Sequence, residues 1–337
     1  MPAAPQHPES HAGPEEIARA VAILRAGGVV AFPTETVYGL GADALNGGAV
    51  ARVFALKGRP AGNPLIVHVT GEEMAGRVAA AWPHEAAKLA RAFWPGPLTI
   101  VLPASRAVPK AVTAGGPTVA VRCPDHLVTL SLLEAFGGPL VGPSANPSGR
   151  VSPTTAAHVR EVFSGADVFV LEGGPCRGGI ESTVVSLVSV RGGAGSARVL
   201  RPGLIGAEEL SIVLGHPVEE GSAAAEAGPA PSPGMQEVHY APAARAVVFE
   251  AGDLGRVLAS APRVEVLTHS GLIVAAPHTA IGLPSEANAY AARLYAALRE
   301  ADALKPDLIA IERPPAEGAQ WAAVADRLAR AAKPFRP

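Results

Sequence analysis

Two cations one residue apart, Lys57 and Arg59, flank a glycine in the stretch LKGRPAGNPLIVHV, and Asn63 follows before an apolar run. A lysine offers a compact point charge and an arginine a planar fork, so this pair beside flexible backbone could grip a polyphosphate. On spacing alone the plainer reading is two solvated surface charges, because exposed lysine and arginine are common. A second cluster, FPTETVYGLGADA from Phe32 to Ala44, sets Thr34, Glu35 and Thr36 where an apolar strand has just left the core. A third, PLVGPSANPSGRVSPT from Pro139 to Thr154, ends another apolar run in Ser144, Asn146, Ser148, Arg150 and Ser152. Turn formation alone would explain the prolines and asparagine there. Two such strand ends in one α/β domain favour a pocket, since ligands of open α/β sheets gather outside the carboxyl ends of strands.

Single residues add to this set. Arg122 ends TVAVR, Glu181, Ser182 and Thr183 open the run IESTVV, and Arg201 sits in VLRPG. Each arginine is a surface charge or a grip for a carboxylate or phosphate. His68 alternates with Ile66 in LIVHV, where a satisfied core histidine is the commoner case. No nucleophile with a paired base stands out, and no H-E-x-x-H, G-x-S-x-G or P-loop pattern occurs. Cations and hydroxyls without a covalent catalyst suit a reaction driven by positioning and charge stabilisation. The segment from Gly39 to Ala44 formally fits G-x-G-x-x-G/A, which keeps an NADP-dependent enzyme as an alternative, with Glu72 as the ribose acid. Pro33 to Tyr38 intervene between strand and glycines, which that fingerprint does not allow.

The elements that must position these residues follow from periodicity. Ile17, Val21 and Leu24 share a helical face within Glu15 to Ala26, with Gly27 and Gly28 as the stop. Strands are predicted at Val29–Phe32, Leu65–Val69 and in the runs LTIVL, TVAVR, PLVG, VFVL, TVVSL and ARVLR. Helices are predicted at Ala49–Leu56, Glu85–Phe93, Leu127–Phe136 and Thr154–Phe163. The alternation argues for an α/β domain over 14–214, and the adjacent late strands for a mixed sheet. Residues 215–242 contain EEGSAAAEAGPAPSPG and read as a linker, poor in residues that could bury surface. AVVFE, VEVLTH and DLIAIE with a helix over Glu286–Ala303 predict a smaller, doubly wound Rossmann-like domain over 243–337.

Composition limits the function classes. The chain has 337 residues, 48% of them hydrophobic, and a net charge of −2, which argues against indiscriminate coating of nucleic acid. Cys123 and Cys176 stand alone, too few for a disulfide framework or a zinc site. The start lacks a basic n-region followed by an apolar stretch, and no run approaches the ~18 apolar residues of a membrane span. A soluble, cytoplasmic protein is expected.

In this order, FPTETVYGLGADA, KGRPAGNPLIVHV, FWPGPLTIVL, VAVRCP, GPSANPSG, ESTVV and LRPG resemble the motifs of the YrdC-like threonylcarbamoyl-AMP synthases. SPGMQEVHYAP and the smaller domain after it resemble the long, two-domain form. The resemblance implies a YrdC-like twisted mixed-sheet α/β domain followed by the Rossmann-like one. It implies a nucleotidyltransferase that makes threonylcarbamoyl-AMP and pyrophosphate from L-threonine, bicarbonate or CO2, and ATP, for threonylcarbamoyladenosine modification of tRNA. It also implies Mg²⁺ carried on the ATP phosphates rather than held by side chains, and a downstream threonylcarbamoyl transferase complex as partner, with weak tRNA contact. By motif, Lys57, Arg59, Ser144 and Asn146 would hold the phosphates and metal and carry catalysis, helped by Asn63, Thr118, Ser152, Arg201 and Tyr240. Thr36, His68, Arg122, Gly142 and Ser182 would hold threonine. The glycines after TETVY would let the backbone turn tightly and a ligand approach.

The linker departs from the family pattern, with Gln236, Glu237 and Val238 after Met235 where an aromatic and basic pair is usual. Two readings of HYAP stand open. Tyr240 and His239 close a lid over the nucleotide, or Tyr240 begins the second domain and packs into its core. Hydrogenase-type carbamoyl-AMP formation is excluded, because its zinc motifs need more than two cysteines. An RNA-binding module remains the rival of another class.

Overall fold

The computed structural model describes residues 12–188, 197–221 and 240–336. The larger sheet has ten strands: β1 (Val30–Phe32), β2 (Gly39–Asp43), β3 (Ile66–His68), β4 (Leu98–Pro103), β5 (Thr118–Arg122), β6 (Leu140–Val141), β7 (Phe169–Val170), β8 (Thr183–Ser186), β9 (Arg198–Arg201) and β10 (Glu219–Glu220). Their order is β10-β9-β8-β4-β5-β3-β6-β2-β1-β7. Parallel pairs (β3 with β5, β4 with β8) alternate with antiparallel ones (β4 with β5, β2 with β6), so the sheet is mixed, as the sequence predicts. Around it lie α1 (Pro14–Arg25), α2 (Gly47–Lys57), α3 (Glu72–Ala75), α4 (His84–Phe93), α5 (Leu127–Phe136), α6 (Ala156–Val162) and α7 (Ala207–Leu214). Helix α1 buries Ile17, Ala20, Val21 and Leu24 at the spacing of one face, in one core with Leu132 and Leu133 of α5. Helices α4 and α7 cover β4, β8 and β9 through a second core around Leu89, Ile100 and Leu210.

The smaller sheet joins β11 (Ala246–Phe249), β12 (Val264–Thr268), β13 (Thr279–Gly282), β14 (Leu308–Glu312) and β15 (Lys333–Pro334) in the order β13-β12-β14-β11-β15. All four pairings are parallel. Helix α8 (Leu254–Ala259) packs with Phe249, Val264 and Val266 on one face. Helices α9 (Ala287–Ala303) and α10 (Ala319–Ala331) pack with Val248, Leu267 and Ile309 on the other, which makes the sheet doubly wound. Among the described residues no helix is long and apolar enough to cross a membrane.

Two sequence expectations are corrected. The segment Gly39–Asp43 is a strand and not a tight turn: Leu40 pairs with Ala31 of β1, and Ala42 with Val141 of β6. Its glycines make room for the Phe32 ring, since a Cβ on Gly39 or Gly41 would stand 2.8 or 2.6 Å from it. A helix does not start at these glycines, so the dinucleotide fingerprint is overturned as well. The first residues of the predicted linker are ordered. Gly215 ends α7 in the left-handed region, and Glu219–Glu220 then pair in parallel with β9, where Glu219 Oε2 meets Arg198 Nη2 at 2.6 Å. His239 and most of the predicted linker lie outside the described residues.

The two domains touch at backbone distance. Ala241 N–H donates to the Gly149 carbonyl at 2.9 Å, and Arg299 Nη2 of α9 donates to the Val151 carbonyl at 2.5 Å. Gly179, at φ +69°, lies so close to α9 that a Cβ would sit 2.3 Å from the Ala291 carbonyl oxygen. Gly179→Ala is therefore expected to destabilise the chain by about 1–3 kcal/mol, from overpacking and the left-handed backbone together. Denaturant unfolding measures this; an unchanged midpoint would contradict such close packing.

Candidate active site

The site grows from strand ends brought into register. His68 pairs with Arg122 where β3 and β5 run parallel, so both side chains leave the sheet at the same end. Between β1 and β2 the chain makes a tight polar turn. Thr34 Oγ1 accepts from the Thr36 and Val37 amides at 3.2 Å each, and donates to the Val37 carbonyl at 2.6 Å. Thr34 is thus a turn cap, while Thr36 Oγ1 accepts from Arg122 Nη1 at 2.9 Å. Ser182 stands just before β8, its hydroxyl 2.8 Å from Thr99 Oγ1, and Arg201 at the end of β9 donates to the Ser182 carbonyl and hydroxyl. Gly142 follows β6, and a Cβ there would stand 2.6 Å from His68 Nδ1 and from Phe32. The glycine is needed for close approach.

One cavity is lined by Thr34, Thr36, Val37, Gly39, Arg59, Ile66, His68, Arg122, Gly142, Pro143, Ser144, Glu181, Ser182, Arg201 and Tyr240. Nine of the residues to which the resemblance assigns a site role therefore converge, from positions as far apart as Thr36 and Tyr240. Thr118 shares a face of β5 with Arg122 by the two-residue period, but stands at the strand's other end, outside the lining. Asn63, Ser152, Asn146 and Lys57 surround the cavity without lining it. Asn63 presents its carbonyl to Arg59 Nε, and Ser152 Oγ donates to Glu181 Oε1 at 2.7 Å.

Lys57 overturns the solvated-charge reading, because it is only 3% exposed. Asn46 caps the start of α2 through the Gly48 and Ala49 amides, and Gly58 ends it in the left-handed region. Lys57 is the last helical residue, and its ammonium donates to the carbonyls of Ser144 and Asn146 at 2.5 Å each. Burial first, and the Arg59 charge second, hold its pKa well below the ordinary lysine value. Lys57 fastens the Ser144–Asn146 loop. Asn146 Nδ2 donates to the Pro147 and Arg150 carbonyls, while its buried Oδ1 has no hydrogen-bond partner among the described residues.

The cavity is rich in cations. Burial pushes Arg59 down to about 10, which leaves it charged at neutral pH, and lowers Arg201 as well. Burial and the nearby Arg122 charge hold His68 well below the ordinary histidine value, so its ring is neutral; Nδ1 is buried without a partner. Two carboxylates accompany these groups, and neither was assigned a role from the sequence. Glu35 Oε2 lies 2.6 Å from Arg122 Nη2, both side chains nearly inaccessible, in an ion pair without hydrogen-bond alignment. Glu181 meets Arg327 Nε at 2.8 Å. Burial would raise the Glu181 pKa, but Arg327 and Arg201 draw it below the ordinary carboxylate value. The thiols nearby are poor nucleophiles: burial pushes Cys123 up to about 12 and raises Cys176 also.

Tyr240 packs in the core, as the second reading of HYAP expects, and at the same time borders the cavity. Its ring stacks on Tyr295 of α9, centroids 5.6 Å apart, and is 1% exposed within the second domain's core, yet it also lines the cavity. No periodicity marks Arg327, Tyr295 or Arg299 in the sequence as partners of this site; each lies on a helix more than a hundred residues from the group it meets.

Two consequences are measurable. Lys57→Ala should lower stability by about 1–3 kcal/mol, because two buried carbonyls lose their donor; a stability change within error would restore the surface-charge reading. The folded chain keeps His68 neutral, while the unfolded chain takes up a proton below about pH 6.5. This contribution is complete above that pH and is lost as pH falls, by up to ~1.4 kcal/mol per unit. Chemical denaturation at stepped pH should show the slope, and His68→Gln should reduce it.

A family model described as telomere recombination, covering the Sua5, YciO and YrdC group, matches residues 22–203. A second, for the threonylcarbamoyl-AMP synthase C-terminal domain, matches residues 205–333. The threonylcarbamoyl-AMP synthase of Pyrococcus abyssi is 47% identical over 68% of this chain and 67% of its own length. That of Bacillus subtilis is 40% identical over 94% of this chain and 93% of its own. The crystal structure of P. abyssi Sua5 complexed with L-threonine superposes with a TM-score of 0.85 at 38% identity, covering 95% of this chain and 96% of that one. The chain belongs to the YrdC-like threonylcarbamoyl-AMP synthase family of enzymes, in its two-domain form.

Proposed function

We propose that this cavity condenses L-threonine, bicarbonate and ATP into threonylcarbamoyl-AMP, and that the product serves the threonylcarbamoyladenosine modification of tRNA. The observation that carries the reading is the convergence of Arg122, Thr36 and the neutral His68 with Arg59 and Arg201 on the lining of one cavity. Arg122, already fixed by Thr36 and Glu35, presents its guanidinium to the threonine carboxylate. His68 Nδ1 offers a neutral partner to the amino acid's hydroxyl or amine, and Ser182 a second hydroxyl.

The uncharged amine of threonine attacks the carbon of bicarbonate; water leaves and a carbamate forms. A carbamate oxygen then attacks the α-phosphorus of ATP. The new bond is O–P, and the bond broken joins the α-phosphorus to the bridging oxygen, which departs on pyrophosphate. No enzyme nucleophile takes part, in keeping with the raised thiols of Cys123 and Cys176. Arg59 and Arg201 balance the charge that collects on the departing pyrophosphate. Mg²⁺ on the triphosphate would supply further charge neutralisation, and the Ser144 hydroxyl with Asn146 Oδ1, which has no partner among the described residues, would hold its hydration shell. Asn63 and Thr118 extend the nucleotide side beyond the cavity, Ser152 supports its wall, Gly142 lends backbone, and Tyr240 closes its end. The cytoplasm, where tRNA and a downstream transferase complex are found, is the proposed location.

The test is pyrophosphate release with purified protein. Release is expected only when L-threonine, bicarbonate, ATP and Mg²⁺ are all present, and Arg122→Ala should raise the threonine KM by about tenfold or more, from loss of a charge-assisted hydrogen bond. Equal turnover with leucine, or turnover without bicarbonate, would refute the reading.

A further inference from the structure

Glu181 stands in the wall of the cavity, and Ser152, Tyr295 and Arg327, which donate to its carboxylate, all stand outside the cavity lining. Ser152 Oγ donates to Oε1, while Tyr295 OH, at 3.0 Å, and Arg327 Nε, at 2.8 Å, donate to Oε2. Arg327 Nη2 also reaches the Glu181 carbonyl at 3.1 Å. Arg327 has no exposed surface and does not line the cavity; its Cζ lies 5.7 Å from the centre of the Tyr240 ring, and Asp326 holds its remaining nitrogen. Ser152 and Tyr295 are neutral donors, so they orient the carboxylate without cancelling its charge.

We propose that Arg327 is a positioning residue of the nucleotide site: it neutralises Glu181, and so leaves Arg59 and Arg201 to the anionic substrate. Without it a carboxylate in the cavity wall repels the triphosphate and draws Arg201 towards itself, and in a buried setting both effects are screened little by water. The C-terminal domain is then part of the active site's charge balance and not an appendage. L-Threonine, with no net charge as the zwitterion, feels the change far less than ATP. The inference rests on the nucleotide reading above.

The experiment measures ATP binding with Mg²⁺ by equilibrium dialysis, together with KM for ATP and for threonine and the thermal midpoint, on the full chain. Arg327→Met is expected to weaken ATP binding by about tenfold or more, with the threonine KM within about twofold, on Coulomb grounds. The double variant Glu181→Gln/Arg327→Met should regain ATP binding, because it removes the uncompensated charge. Glu181→Gln alone, which removes the carboxylate's charge while Arg327 stays, should bind ATP at least as tightly as the unaltered chain, and carries the test where Arg327→Met does not fold. Unchanged ATP binding in folded Arg327→Met, weaker ATP binding in folded Glu181→Gln, or a double variant no better than Arg327→Met would overturn the proposal. Failure of the unaltered chain to bind ATP would instead overturn the nucleotide reading, and the two failures are thereby told apart.

Discussion

A carboxylate buried at a domain junction has no water to turn to, and Glu181 dictates much of what surrounds it. Taking such a group out of water is strongly unfavourable unless donors replace the solvent. Those donors come from both sides: Ser152 from the larger domain, Tyr295 and Arg327 from α9 and α10 of the smaller. Gly179, two residues earlier, lets the same segment lie against the backbone of α9. The carboxylate, the glycine and the stacked Tyr240 and Tyr295 rings fix how the domains meet, and the next residue, Ser182, enters the cavity.

The lining from β3 and β5 is fixed differently. There the parallel register of β3 and β5 places His68 beside Arg122, and the Thr34-capped turn brings Thr36 onto the guanidinium. Lys57 acts from outside the lining, its ammonium donating to the Ser144 and Asn146 carbonyls. The cations thus divide by task. Lys57 builds the loop, while Arg59, Arg122 and Arg201 face the cavity. A site of this kind works by preorganised charge, and its rigidity is as important as the charges themselves.

Most of the layers were legible in the sequence, because buried strands such as VVAF, LTIVL and TVAVR are apolar runs and α1, α4 and α5 carry helical periodicity. Strand β2 was not, since its glycines read as a turn until the Phe32 ring is seen to occupy the space their side chains would fill. Of the site, the ordered motifs pointed to Arg59, His68, Arg122 and Ser182, and their convergence is a property of register that spacing does not contain. The sequence also misjudged the setting of Lys57, because burial of a helix-end lysine depends on a loop some ninety residues later. Arg327 and Tyr295 were invisible for the same reason in stronger form. Their partner lies 146 and 114 residues away, and an arginine on an amphipathic helix reads as a solvated charge.

The central claim is that one cavity joins an amino acid, a one-carbon unit and a nucleotide without a covalent enzyme intermediate. Mass spectrometry of the product formed from carbon-13 bicarbonate, L-threonine and ATP tests it most directly. The account predicts a single species carrying threonine, AMP and the labelled carbon together, absent when threonine is omitted. AMP released without a threonine adduct, an unlabelled adduct, or a nucleotide bound covalently to the protein would contradict it.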